Sequence, residues 1–508
     1  MIHAVDAATV SARLAQRLRA VTSMLLDATA PPPHEDPVRD ADVLLDLLVR
    51  ATQSDPTPER IWLLCVAVFG SYPTAEDVLT GIRFFQLAPA TQATLWLLDR
   101  ALDTSLAGTL TDRLEIVTDR VVVDVDHSAR HDLHTGIQQV VRQTLPIWDR
   151  DHPVLAVAWT AEVGAWRALS GIERQRVLQW AEDSDDACDD EIPTAVVVPW
   201  HTVTVLLETP SSEACPRLAA VAQYSGNCVV AVGYDCVPIV SADLVPPAEP
   251  ARFARYLTVL KHARRVAGIS NAATAQFGGF SSALRAQGFG GPAVVSCGLP
   301  SESFSRPGAA SPPRSGTSTK ELPLVLGVGS FEPRKNHLAV LYAAERLWRE
   351  GLKFELMFIA GSGWGDAVPN LIARLRESGR PITTRTKVSD SELRAAYQRA
   401  RFTIFVSLHE GYGLPVAESL AQQTPVITTN YGSTADIAAG GGTVLVDPRD
   451  DEAIVDAMRI LLTDDDALRA RREEILSRPV RTWEHYAAEL WDCLVPANRY
   501  DDPPGGPW

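Results

Sequence analysis

Two short segments combine carboxylates, cations and glycines at spacings that suit an anionic, hydroxyl-rich ligand. The first is HEGYGLPVAE, His409 to Glu418, which sets Glu410 and Glu418 eight positions apart. The glycines and the proline between them forbid one continuous helix. The segment reads as a strand end, a turn and a helix start. Glu410 follows the apolar run RFTIFVSL and so stands at the carboxyl end of a strand, facing a cleft. Gly411 and Gly413 let the backbone approach a ligand closely. Pro415 suits the opening of a helix, whose free N–H groups and dipole favour an anion such as a diphosphate. Glu418 falls about one turn into that helix. Ionised carboxylates only accept hydrogen bonds, so they suit hydroxyls. A nucleotide sugar, with hydroxyls at both ends and phosphates between, meets these demands. On this segment alone, a helix start with two solvated glutamates is the competing reading.

The second segment is GVGSFEPRKNHLAVL, starting at Gly327, and is another strand, turn and helix. Gly329 and Ser330 make the turn. Arg334 and Lys335 stand just before the helix, with Asn336 as its expected cap. Adjacent cations on a turn facing a cleft are natural diphosphate ligands. As mere solvated charges they would oppose the helix dipole, which weakens that alternative.

These turns need a scaffold, and the 508 residues supply one. Residues 1–112 carry apolar residues at helical spacing, as in LLDLLVRA and ATLWLLDRAL, and read as a helical N-terminal extension for packing or oligomerisation. In residues 113–300, short β-branched runs such as VVVDVD, TVTVLLE and NCVVAVGYD alternate with helical stretches. That pattern implies a parallel sheet covered on both faces. SESFSRPGAASPPRSGTSTKE, residues 301–321, lacks periodicity and reads as a linker. Alternation restarts over 322–480. An amphipathic helix is expected at 482–496, and 497–508 reads as a tail. The fold class is α/β: two Rossmann-like, doubly wound domains facing a cleft, where ligands bind in this architecture.

The bulk composition excludes several roles. A net charge of −16 argues against nucleic acid as the main partner. The seven cysteines are scattered without a C-x-x-C pair, which points to reduced thiols in the cytoplasm. The N-terminus lacks the apolar core of a secretory signal, and no apolar run is long enough to span a membrane. Arg13, Arg17 and Arg19 share a helix that could touch a membrane surface peripherally, although a solvated face is favoured. DSDDACDDE, from Asp183, reads as an acidic surface insertion. His127, His131 and His134 do not follow a familiar zinc spacing, so no metal site is expected.

VGSFEPRKNH, the AGSGWG segment at Ala360 to Gly365, VSDSEL at Val388 to Leu393 and SLHEGYGLPVAESLAQQTPVITTN resemble the donor domain of family-4 glycosyltransferases, which have the GT-B fold. HEGYGLPVAE matches that family's E-x7-E motif. VDVDHSARHDLHTGIQQVVRQTL resembles the acceptor-domain opening of members that build bacterial polysaccharides, and TWEHYAAEL resembles the family's C-terminal helix, which implies that the helix at 482–496 packs back on the first domain. The resemblance implies a retaining hexosyltransferase acting on a nucleotide-diphosphate sugar without metal or other cofactor. Lys335, with Arg334 beside it, would bind the diphosphate. Glu410 would hold hydroxyls of the transferred sugar. Gly411, Tyr412, Gly413 and Leu414 would offer backbone N–H groups to sugar and phosphate, and Glu418 would take the ribose hydroxyls. Val388 would contact the base through its backbone, Gly136 would approach the phosphates, and Asp235 would touch the acceptor. Many members carry an arginine where this chain has Ser330, and Arg334 is the candidate to replace its charge. GDP-mannose is the favoured donor, with related deoxyhexoses and UDP sugars left open. The acceptor is a glycan, a lipid-linked glycan or a small molecule. The alternatives are a non-catalytic sugar-binding scaffold and an epimerase or hydrolase on the same fold.

Overall fold

The structure, a computed structural model, describes residues 7–26, 29–104, 113–131, 136–179, 192–300, 322–361 and 363–495. The linker at 301–321, the tail at 497–508, the acidic insertion, His134 and Ser362 of AGSGWG lie outside the described residues.

Two sheets organise the chain. The first holds β1 (Leu114–Val117), β2 (Val121–Asp124), β3 (Val154–Trp159), β4 (Trp166–Ala168), β5 (Val196–Pro199), β6 (Val203–Leu206), β7 (Cys228–Gly233), β8 (Arg265–Gly268) and β9 (Ala293–Ser296). Their order is β1-β5-β4-β3-β2-β6-β7-β8-β9. Only β4 runs antiparallel to its neighbours. The second holds β10 (Leu324–Val328), β11 (Glu355–Ile359), β12 (Ile382–Arg385), β13 (Phe402–Phe405), β14 (Val426–Thr429) and β15 (Thr443–Val446). Its order is β12-β11-β10-β13-β14-β15, all parallel. The short strands are rich in Val and Ile and most are buried throughout, as sheets covered on both faces require. Strand order reverses at β2/β6 in one sheet and at β10/β13 in the other, and the crevices at such points are where ligands bind. Two doubly wound domains joined in this way form the GT-B arrangement.

The helices before residue 105 are a layer of the first domain. Helix Pro58–Phe69 buries every residue from Ile61 to Phe69, so it is surrounded by protein on all sides. Trp62 packs on Tyr72, and Tyr72 packs on Trp159 and Trp166 of the sheet, with centroids 5.7–6.0 Å apart. The Tyr72 hydroxyl donates to the Val197 carbonyl of β5. These helices and the first sheet share one hydrophobic core. The arginines on the first helix, Ala7–Leu25, do not form the solvated face expected of them. Arg17 is buried and donates to the carbonyls of Ala67 and Val68, at 2.7 and 3.1 Å. Arg19 pairs with Asp40 and donates to the Pro31 carbonyl. Arg13 stays outermost, bonded to Gln16.

The C-terminal helix Trp483–Leu494 returns to the first domain. Trp148 Nε1 donates to the Ala487 carbonyl at 2.8 Å, and Arg265 to that of Cys493 at 2.6 Å. Among the described residues, no helix is long and apolar enough to cross a membrane.

Candidate functional site

The two chemistry-bearing turns follow β10 and β13, which are hydrogen-bonded neighbours at the switch point of the second sheet. After β10 the backbone turns at Gly329, whose φ of +138° favours glycine, and Pro333–Lys335 form a short 3₁₀ turn. After β13 the chain reaches Glu410, and Gly413, at φ +109°, caps helix Leu414–Ala421. Leu408 N–H donates to the Arg334 carbonyl at 2.7 Å, binding the two turns backbone to backbone.

Glu410 is the centre of the site. Its Oε1 accepts from Lys335 Nζ at 2.6 Å and its Oε2 from Arg334 Nη1 at 2.8 Å. Burial alone would raise its pKa. Lys335 and then Arg334 outweigh burial and hold it at about 2. Glu410 is therefore a firm anion and a pure acceptor. Burial depresses the Lys335 ammonium, against the pull of Glu410. Arg334 is raised by Glu410 and Glu332, which overcome its own burial. Lys335 Nζ also sits 4.8 Å from the Phe405 ring centroid. His337, next along, is buried and pushed down to about 4, by burial and then by Lys335, so no further positive charge is added there.

Ser330, which stands where an arginine was expected, donates its hydroxyl to Glu332. Glu332 in turn accepts from Arg334 Nε at 2.7 Å. The turn thus fastens the Arg334 guanidinium between Glu332 and Glu410. Asn336 does not cap the following helix with its side chain. It takes the left-handed conformation, at φ +56°, and its Nδ2 donates to the Pro448 carbonyl at 2.7 Å.

Glu418 lies on the first helix after Glu410, and its Oε2 accepts from Tyr397 Oη at 2.7 Å. Burial raises its pKa to about 7, only partly offset by that hydroxyl. Val388 packs against the buried cluster that contains Tyr397, Leu326 and Met357. The preceding Lys387 adopts φ +54°, which turns the backbone there. Tyr397 escaped sequence reasoning because its helix, Asp390–Arg399, reads as an ordinary capped surface helix.

The first domain closes against these turns. A Cβ on Gly136, at the start of helix Gly136–Asp151, would lie 2.7 Å from Leu414 Cδ1. A Cβ on Gly411 would lie 2.6 Å from the Tyr234 carbonyl and 2.9 Å from Asp235 Oδ2. Asp235, just beyond β7, is pushed up by burial, and its Oδ1 accepts from Val237 N–H at 3.0 Å. Tyr412 packs against the cores of both domains. Its hydroxyl donates to the carbonyls of Leu299 and Pro300, each at 3.1 Å.

At the first sheet's own switch point, Glu208 follows β6 and accepts from the backbone N–H groups of His127, at 2.9 Å, and Ser128, at 3.0 Å. Burial pushes both Glu208 and Asp124 up to about 7. Neither was named as a site residue from sequence: Glu208 is a lone carboxylate after a strand, and Asp124 lies in the VDVD run without an assigned role. The His127 and His131 rings lie 4.8 Å apart, and Gln138 Nε2 is 2.9 Å from His127 Nδ1. Among the described residues no group of three or more His, Cys, Asp or Glu side chains is placed to hold a metal.

Two facing Rossmann-like sheets, with a carboxylate gripped by two cations at the switch point, define a GT-B architecture. Residues 313–476 match the family model described as glycosyl transferases group 1. The serotype-specific mannosyltransferase WbdA of Escherichia coli is 36% identical over 119 residues, 23% of this chain and 14% of that protein. The O-antigen chain mannosyltransferase B of Escherichia coli is 34% identical over 131 residues, 25% of this chain and 34% of its own length. The D-inositol 3-phosphate glycosyltransferase of Corynebacterium urealyticum is 31% identical over 210 residues, 39% of this chain and 49% of its own. The chain thus spans only 14% to 49% of the length of these relatives. A solved sucrose-phosphate synthase from Thermosynechococcus elongatus gives a TM-score of 0.49 at 14% identity, over 73% of this chain and 97% of that one.

Proposed function

We propose that the protein is a retaining glycosyltransferase. It moves a hexose, by preference mannose from GDP-mannose, onto a glycan, lipid-linked or small-molecule acceptor in bacterial polysaccharide assembly. The observation that carries this reading is the pairing of Glu410 with Lys335 and Arg334 at the β10/β13 switch point. The donor diphosphate would share these two cations with Glu410, and the start of helix Leu414–Ala421 adds its dipole. Charge grows on the diphosphate as it departs, so fixed cations help the transition state more than the ground state. Glu410, a firm anion, would accept from hydroxyls of the transferred sugar, and Glu418 from those of the ribose.

Both Glu410 oxygens are engaged and its basicity is low, which makes it a poor nucleophile toward the anomeric carbon. Attack of the acceptor hydroxyl on the same face as the leaving group fits better. The glycosidic bond to the acceptor forms as the bond to the β-phosphate oxygen breaks, and that phosphate takes the hydroxyl proton. No metal or other cofactor enters this scheme, and the reaction is placed in the cytoplasm, with peripheral contact at the inner membrane face. The mannosyltransferase names of two relatives support mannose as the sugar.

A thermal-shift panel of GDP, UDP, ADP and dTDP, with magnesium and with EDTA, tests the reading. A ligand bound only by the folded state raises the melting temperature. GDP alone should shift it, equally in EDTA. No shift with any nucleotide would overturn the reading.

A further inference from the structure

Glu410 sits in a turn whose neighbours on both sides are hydrogen-bonded to the other domain. Behind it, the His409 ring bridges to the first domain twice. Nδ1 lies 2.8 Å from Ser241 Oγ, and Nε2 lies 2.7 Å from Gln276 Nε2. Ahead of it, the Gly411 carbonyl accepts from Ser270 Oγ at 2.7 Å. Ser270 itself caps helix Asn271–Ala286, which carries Gln276. The Glu410 carbonyl accepts from Ser433 Oγ of its own domain at 2.9 Å.

The hydrogen-bond directions around His409 are determined. Cys236 N–H donates to Gln276 Oε1 at 2.7 Å, which fixes the amide orientation and turns its NH₂ group toward the imidazole. An NH₂ group can only donate, so His409 Nε2 must carry a lone pair. The ring proton then belongs on Nδ1, where it donates to Ser241. The bridge needs a neutral imidazole. A second ring proton would face the amide hydrogens and break the Gln276 bond.

We propose that His409 is a positioning residue that fastens the Glu410 turn to the first domain through Gln276 and Ser241, and that its protonation releases the fastening. The charged groups facing the ring are Asp235 from beyond β7, Glu410 on its own turn and Arg334 from the turn after β10. Burial keeps the ring neutral below the usual histidine range, while Asp235 and Glu410 oppose this. Closing the cleft and presenting the gripped carboxylate are thereby one event. The proposal rests on the functional reading above only in taking the closed cleft as the donor-competent form.

Small-angle scattering of the full chain without ligand, from about pH 8 down to about pH 4.5, reads the fastening directly. Circular dichroism at each pH confirms that the chain is folded. The wild-type radius of gyration should rise on acidification. Gln276→Ala should scatter as the larger particle at both ends of the range. Gln276→Glu should stay compact throughout. Its carboxylate still accepts from Cys236 N–H and also accepts from His409 Nε2–H, whether the ring is the other neutral tautomer or the cation. A wild type that does not expand, or a Gln276→Glu variant that expands alongside it, would overturn the proposal. Nucleotide plays no part in this measurement, so a failure of the functional reading is seen separately.

Discussion

Lys335 Nζ lies 2.6 Å from Glu410 Oε1, joining two turns that are 75 residues apart in sequence and adjacent in space. Removing one member of a buried pair leaves the other charge uncompensated. Lys335→Ala should cost roughly 3–5 kcal/mol in urea unfolding. On the proposed reading, in which its charge acts on the leaving diphosphate, it should also lower sugar transfer by about 100-fold or more. Lys335→Met with Glu410→Gln should recover most of the stability and none of the transfer. Wild-type turnover in Lys335→Ala would remove it from the mechanism.

The two site glutamates should respond to pH in opposite senses. The Glu410 pKa is depressed to about 2, so its contribution to stability is present above the ordinary carboxylate range and is lost as the pH falls toward 2. The Glu418 pKa is raised to about 7, so the fold favours its neutral form. Stability from Glu418 is full below the ordinary carboxylate range and is lost as the pH rises through about 7. Glu418→Gln should flatten the fall in unfolding free energy between about pH 5 and pH 8, by at most about 3 kcal/mol. An unchanged slope would refute the shift.

Glycine-to-alanine changes at the domain contact should differ in severity. At Gly136 the obstacle is the end of the Leu414 side chain, which can rotate away. At Gly411 the obstacle is the Tyr234 backbone carbonyl, which cannot. Gly411→Ala should therefore hold the domains apart and weaken nucleotide binding about tenfold or more, equivalent to ~1.4 kcal/mol. Gly136→Ala should stay within a few-fold of wild type. Calorimetric titration with the nucleotide selected by thermal shift distinguishes them.

The N-terminal helices should be indispensable to the first domain. Tyr72→Phe deletes the bond to the Val197 carbonyl and leaves that acceptor buried, which should cost about 1–3 kcal/mol in chemical unfolding. Truncation of residues 1–112 should give insoluble protein, because it bares the face of β5 and the Trp159 and Trp166 rings. A soluble, folded truncation would show these helices to be an appendage after all.

Much of this was legible in the sequence where local pattern and function coincide. Seven first-sheet strands, β2, β3 and β5 to β9, announce themselves as apolar runs bounded by turns. Lys335, Glu410 and Glu418 stand out because a charge beside glycine and proline is not a core pattern. The rest depends on distant partners. β4 has only three residues and β1 carries a charge, Glu115, within its four, so their neighbours in the sheet give them away. Arg17 reads as a surface residue until helix Pro58–Phe69 offers it two carbonyls. Gly411 reads as room for a ligand, and nothing near it in the chain reveals that Tyr234 and Asp235 occupy that side. The role of His409 needs Ser241, Cys236 and Gln276, contributed by the other domain.

The return of helix Trp483–Leu494 to the first domain has a consequence for ancestry and engineering. Trp483, Tyr486 and Leu490 belong to the same core as β2, β6 and β7, so the first domain brackets the second in sequence. The second domain is topologically an insert, bounded by two crossings. It can be cut out and exchanged as a cassette between Pro300 and Trp483 without dividing either core. On the proposed reading, the first domain would keep its aglycone preference while the exchanged module brought a new activated sugar.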